Sequence, residues 1–291
     1  MAGRWSSIGP INAISLIGLQ ETLMGGQSFA WSSKADNQWI GVVGHSIVEL
    51  KWIEGQIRWR SFGPQPIGKN ELLDYLWLDK SYSVAVDSLP WRSDEVLHRA
   101  IRMFPGLRVL RQSIDETLLM FLLSTAKSIP QIKQLRDKIY QLLGLELKKD
   151  LHAFPGWKKI KSLTEMEARK LGMGYRAKYL IGTARFLGRN PDFLKSLKNL
   201  SHNQAKVKLM ELPGVGPKVA DCVLLFGGVA PQAFPVDTWI FQSLQKQYGM
   251  IGWKIPQMEE FARIHFGINA GLAQQFLFSY ERYLKKKASK Q

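Results

Sequence analysis

Cysteine is nearly absent from this sequence. One thiol, Cys222, among 291 residues excludes an intrachain disulfide and fits a reducing compartment. It also leaves the chain unable to supply four thiolates to an iron–sulfur cluster. The five histidines show no metal-ligand spacing, so no metal and no cofactor are expected and the chemistry falls to ordinary side chains. The amino end has no solid apolar run. Ile11 to Leu19 is interrupted by Asn12, Ser15 and Gly18, which is too short for the ~20 residues of a membrane span and poor as a signal peptide. It is expected to be the first strand of the fold, with no membrane partner. Internal repeats and low-complexity linkers are missing too.

Acidic residues are scarce. Forty Lys and Arg against twenty-four Asp and Glu give +16, a balance that favours a polyanionic partner but that ribosomal and membrane-surface proteins share. An apolar content of 45% and ten tryptophans indicate a folded enzyme rather than a basic disordered chain. Lys285, Lys286, Lys287 and Lys290 read as a basic tail, either solvated or adding nonspecific affinity for such a polyanion.

Two patterns follow one another along the chain. Trp39–Val43, Ser46–Ile53 and Gln56–Arg60 are β-type runs, the last pair joined by a turn at Glu54-Gly55. After Gly68 the periodicity is helical, with capping boxes at Ser113–Glu116 and Thr164–Glu167. The expected architecture is α+β, an amino-terminal twisted antiparallel β domain with connecting helices over 1–110 and a helical bundle over 111–291.

The densest local signal is Leu212-Pro213-Gly214-Val215-Gly216-Pro217-Lys218 followed by Val219-Ala220-Asp221-Cys222. Ser201–Gln204 is a capping box for a helix to about Glu211, which Pro213 ends. Gly214 and Gly216 permit positive-φ turns, and Pro217 suits the first position of the next helix. The free N–H groups at that helix start form a site for a phosphate. Lys218 lies in the first helical turn, where the dipole and any burial lower an amine's pKa. It is either a Schiff-base nucleophile or a surface lysine contacting phosphate. Asp237 in Phe234-Pro235-Val236-Asp237 is an N-cap for a helix from Thr238. Facing Lys218, its carboxylate could also stabilise positive charge on a sugar ring.

Residues 212–244 resemble the helix-hairpin-helix, Gly/Pro-rich loop and aspartate signature (HhH-GPD) of the DNA glycosylase superfamily, and more narrowly the 8-oxoguanine DNA glycosylases. Gly26-Gln27-Ser28-Phe29 with Trp31, Leu171–Tyr179, and Gly271–Gln274 with Leu277-Phe278-Ser279 are similar to further motifs of that family, in its order. The resemblance implies base-excision repair of duplex DNA containing oxidised guanine, by a monomer acting inside the cell with the DNA. Lys218 would attack the sugar carbon of a flipped base, Asp237 would support the cationic sugar, and the imine would permit β-elimination. Phe278 and Cys222 would sandwich the base, beside Pro235, and Gln274 would bind its Watson–Crick edge. The Gly26 carbonyl would accept the N–H that distinguishes 8-oxoguanine from guanine. Taken alone, Phe278 also fits core packing and Gly25-Gly26 a plain turn.

For DNA contact the resemblance implies Gly214, Val215, Gly216, Lys127, Gln131, Tyr175, Arg176 and Trp239. The chain departs from the best-known members here. Ala126-Lys127-Ser128 stands in place of three asparagines, Gln131 in place of an arginine that reads the orphaned cytosine, and Trp239 in place of a histidine. Tyr175 and Arg176 remain to fill the hole, and discrimination of the opposite base is expected to be weak. Two other readings share the hairpin: a glycosylase for alkylated or deaminated purines, and a noncatalytic DNA-binding module. The pairing of Lys218 with Asp237 argues against the module.

Overall fold

A computed structural model describes residues 3–8 and 14–289. Five antiparallel strands, β1 (Ser6–Ser7), β2 (Trp31–Ala35), β3 (Gln38–Val43), β4 (Ser46–Ile53) and β5 (Gln56–Phe62), form a sheet in the order β1-β5-β4-β3-β2. Glu54 and Gly55 both take positive φ, 48° and 77°, the turn whose twist matches a two-residue hairpin. Alternation assigns the faces. Trp39, Val48, Leu50, Ile57 and Trp59 pack inward, whereas Glu49 lies on the other face between Lys34 and Arg60, each at 2.5 Å.

The expected first strand is not one. Ile11, Asn12 and Ala13 lie outside the described residues, Ile14 and Ser15 form no strand, and α1 (Leu16–Met24) takes up the remainder. Ser15 Oγ caps this helix by accepting from the Gly18 N–H at 3.0 Å, and Leu19 and Leu23 bury on one face against the sheet core. Gly18 has no side chain to hold the helix off the Pro105 carbonyl, and Thr22 Oγ1 accepts from the Arg108 N–H at 3.0 Å. This docking fixes the start of the Gly25–Phe29 segment. Gln27 then ties it down, donating to the Arg108 carbonyl and accepting from the Leu110 N–H, both at 2.7 Å.

Helices follow: α2 (Lys69–Tyr75), α3 (Ser81–Asp87), α4 (Glu95–Met103), α5 (Ile114–Ser124) and α6 (Ile129–Leu143). A small ribbon, β6 (Glu146–Lys148) and β7 (Leu151–His152), precedes α7 (Gly156–Ile160), α8 (Glu165–Ala168), α9 (Arg176–Arg189) and α10 (Phe193–Ser196). The last five are α11 (His202–Leu209), α12 (Pro217–Phe226), α13 (Thr238–Gln247), α14 (Ile255–Phe266) and α15 (Ala270–Ala288). Tyr82, Ala85, Leu97 and Ala100 of α3–α4, with Phe104 just after α4, belong to the helical core, whereas Leu72, Leu76 and Leu110 belong to the sheet core. The fold is α+β, an antiparallel sheet followed by helices.

Local signals differ in outcome. Thr164 and Ser201 form their capping boxes, but Ser113 caps α5 without a side-chain bond. Lys285, Lys286 and Lys287 belong to α15 rather than to a tail, and Lys290 lies outside the described residues. Lys285 Nζ sits 4.9 Å from the Trp239 ring centre.

Candidate active site

The hairpin joins α11 to α12. Gly214 adopts φ 81°, and a Cβ there would lie 2.6 Å from Tyr179 Cβ, so glycine is required twice over. Gly216 departs from expectation: its φ is −93°, an extended N-cap conformation open to any residue. A Cβ on it would meet nothing within 4 Å, so its lack of a side chain serves only to keep the turn bare. Val215 also differs, since its side chain is buried and its N–H donates to the Leu212 carbonyl at 3.1 Å. Pro217 takes the first helical position as expected, and Lys218 follows, half-buried, its Nζ 5.4 Å from the Phe121 ring centre.

Asp237 caps α13. Its Oδ1 accepts from the N–H groups of Trp239 and Ile240 at 3.0 and 2.9 Å. Burial pushes the carboxyl above the ordinary aspartate range, opposed by those N–H groups and by the charges of Lys218 and Arg282. The neighbouring Cys222 is buried, and its thiol is pushed up to about 12 in spite of the Lys218 charge. It is a neutral wall rather than a nucleophile.

Lys218 and Asp237 open into one cavity of about 370 Å³. Gly26, Cys222, Pro235, Gln274 and Phe278 share its wall, together with Lys127 and Trp239. Gln274 is held rigidly, donating from Nε2 to the Pro235 carbonyl at 3.1 Å while its Oε1 accepts from Gln275 Nε2 at 2.6 Å. Gly26 takes φ 106°, and a Cβ there would sit 2.7 Å from Ile129 Cδ1. A wider groove of about 850 Å³ adjoins the cavity and shares Lys127, Lys218, Asp237 and Trp239 with it; Gly214, Gly216 and Ala126 line its floor and rim. The arrangement is a concave pocket with an amine and a carboxylate at its mouth and a groove across it.

Besides Val215, three of the expected DNA contacts lie outside the cavity and the groove. Gln131 Oε1 accepts from the Ser128 N–H at 2.9 Å and so caps α6. Arg176 is buried, with Nε donating to the Thr125 carbonyl at 2.8 Å. It holds the turn in which Ala126 has φ 52° instead of presenting its guanidinium to solvent. Tyr175 is exposed, and the Arg176 guanidinium lies 4.6 Å from its ring centre. None of the three lines the cavity or the groove. Sequence reasoning missed Arg282, Gln275, Phe29 and Ile129 in the cavity wall. Arg282 stands one helical turn beyond Phe278, a spacing that does carry the signal. Among the described residues no cluster of His, Cys, Asp and Glu could hold a metal ion.

A family model described as the 8-oxoguanine DNA glycosylase N-terminal domain matches residues 11–118. The apo crystal structure of Clostridium acetobutylicum 8-oxoguanine glycosylase/lyase superposes with a TM-score of 0.83 at 31% identity, covering 90% of this chain and 92% of that one. This chain belongs to the 8-oxoguanine DNA glycosylase family. The same Clostridium enzyme in complex with double-stranded DNA containing cytosine opposite 8-oxoG gives a TM-score of 0.85 at 27% identity, over 98% of this family member and 99% of that chain. The Arabidopsis thaliana N-glycosylase/DNA lyase OGG1 is 34% identical over 230 residues, which is 75% of this chain and 62% of the plant protein. The match thus spans less than two thirds of that curated relative.

Proposed function

We propose that this protein removes 8-oxoguanine from duplex DNA and then cuts the strand at the abasic sugar. The reading rests above all on one observation: Lys218 and Asp237 open into the same cavity as Gly26, Cys222, Pro235, Gln274 and Phe278. The damaged nucleotide is flipped from the groove into the cavity, because its glycosidic carbon is unreachable within the stack. The Lys218 amine donates its electron pair to C1′, the glycosidic pair leaves with the base, and the base takes up a proton. Ionised Asp237 stabilises the cationic sugar as the bond breaks. Ring opening then sends the C1′–O4′ pair to O4′, which takes up the remaining amine proton as the nitrogen forms the C1′ imine, and removal of a C2′ proton expels the 3′ phosphate.

Recognition follows from the walls. Gln274, fixed by Pro235 and Gln275, faces the Watson–Crick edge; Phe278 stacks on the base, with Cys222 opposite. The Gly26 carbonyl accepts the N7–H of 8-oxoguanine, and guanine leaves that acceptor unpaired at a cost of about 1–3 kcal/mol. Discrimination of the opposite base is weak. Ala126 offers no side-chain donor, while Gln131 and Arg176 are committed to capping α6 and holding the Thr125 turn. The protein acts as a monomer in the compartment that holds the DNA; among the described residues no helix is long and apolar enough to cross a membrane.

Borohydride trapping on duplexes with 8-oxoguanine opposite each of the four bases tests this. Wild type forms an adduct on all four, and Lys218→Gln binds the lesion duplex but forms none. An adduct that survives the substitution overturns the lysine assignment, and an adduct confined to the cytosine duplex overturns the weak discrimination.

A further inference from the structure

We propose that Arg282 and Glu21 form a positioning pair that holds the Gly25–Gly26 peptide and the Phe278 ring in register with each other. The pair thereby sets the preference for an oxidised purine, and the inference rests on the functional reading above. Gly25 is gripped at both of its backbone groups: its N–H donates to the Glu21 carbonyl at 2.8 Å, and its carbonyl accepts from Arg282 Nη1 at 2.8 Å. The same Nη1 donates to Glu21 Oε1 at 2.7 Å, and Ser279 Oγ donates to that oxygen at 3.0 Å. Arg282 also lies 5.2 Å from the Phe278 ring centre. One guanidinium therefore touches the peptide that leads into the lesion-sensing carbonyl and the ring that stacks on the base.

The fit leaves little freedom. A Cβ on Gly25 would lie 2.6 Å from Glu21 Oε1, and one on Gly26 would lie 2.7 Å from Ile129 Cδ1. The dipeptide is thus packed between the carboxylate of α1 and a side chain of α6. The ion pair is partly open, with side-chain exposures of 30% for Arg282 and 20% for Glu21, so little global stability depends on it. Arg282 also helps to keep Asp237 ionised, a charge effect that Glu21→Gln leaves in place; the effect on the peptide is geometric, since its release moves the Gly26 acceptor relative to Phe278, and errors near 1 Å at a reacting site cost up to about 100-fold.

A preformed abasic site supplies the readout, because β-elimination there needs Lys218 but no base in the pocket. Single-turnover excision of 8-oxoguanine and β-elimination at the abasic duplex are measured side by side for wild type, Arg282→Ala, Arg282→Lys and Glu21→Gln. For Arg282→Ala the ratio of excision to elimination falls roughly 10-fold or more. Arg282→Lys, which keeps a donor for Gly25 and Glu21, recovers part of it. Glu21→Gln, which keeps an acceptor, falls less than Arg282→Ala. A ratio unchanged in Arg282→Ala, whether both rates fall together or neither does, overturns the proposal. Wild type inert on both duplexes overturns the functional reading, and this inference with it.

Discussion

Asp237 caps a helix and lines the cavity at the same time. Its Oδ1 holds two N–H groups of α13, yet burial raises its pKa above the ordinary aspartate value. The unfolded chain gives up this proton at a lower pH than the folded chain, so ionising Asp237 costs stability as pH rises through the interval between the two pKa values. Asp237→Asn keeps an acceptor for the cap and loses that cost. Its stability gain over wild type is expected to be absent below the ordinary aspartate value of 3.8, to grow through the folded-state pKa and to stay level above it. Thermal melts across pH check this. On the proposed mechanism activity runs the other way: excision by wild type needs the ionised form, so its acid limb is expected above the usual aspartate range, and the substitution is expected to abolish excision. A wild-type rate flat down to the usual range would remove Asp237 from the chemistry. At this scale Lys218 and Asp237 are legible in the sequence because their local motifs place them. Arg282 could be read from its spacing to Phe278, but its pairing with Glu21 could not, since partners 261 positions apart leave no local pattern.

Among elements, the hairpin depends on more than its glycines. Asp221 of α12 is buried and accepts from Lys206 at 2.6 Å, with His202 Nε2 at 2.9 Å, both on α11; Lys206 also reaches Glu259 of α14 at 2.9 Å. The carboxylate thus joins the two hairpin helices just behind the wall that carries Cys222. Asp221→Ala leaves a half-buried lysine short of a partner and is expected to cost about 3 kcal/mol, the scale of a broken buried pair. Urea unfolding measures it, and a loss under about 1 kcal/mol would show that Glu259 suffices for Lys206. The elements differ in how plainly the sequence spells them. Strands β3 to β5 follow from alternation and the Glu54-Gly55 turn. Helix α1 does not, because the apolar spacing around Ile14 to Leu19 suits a strand as well as a helix. What decides for helix is Leu19 and Leu23 packing on the sheet core, and Gly18 meeting a carbonyl at Pro105. The ribbon β6–β7 escapes sequence reasoning for a related reason: two- and three-residue strands carry no period.

For the whole molecule the dominant quantity is charge. On the proposed function, a chain of +16 is expected to bind duplex DNA largely by releasing counterions, with a slope of about −0.9 in log K against log salt for each phosphate neutralised. Besides Lys218, Lys127 lines both cavity and groove, and Lys285 lies over Trp239, which lines both as well. Replacing either by alanine is expected to flatten the slope by about 1 and to weaken lesion and undamaged duplexes alike. Fluorescence anisotropy titrations from low to moderate salt report it. A loss confined to the lesion duplex would place that lysine in base recognition instead. Net charge is legible in the sequence, but its distribution over the surface is not, since Lys285 reaches Trp239 only because α15 continues as a helix.

The cavity is closed by Gly26 near one end of the chain and by Phe278 and Arg282 near the other. During synthesis the hairpin and its lysine leave the ribosome before α15 does. Lys218 is therefore made before the side chains that close the pocket around it. On the proposed function, base reading requires α15 to be docked against the Gly25–Gly26 segment, whereas strand cutting at a preformed abasic site does not.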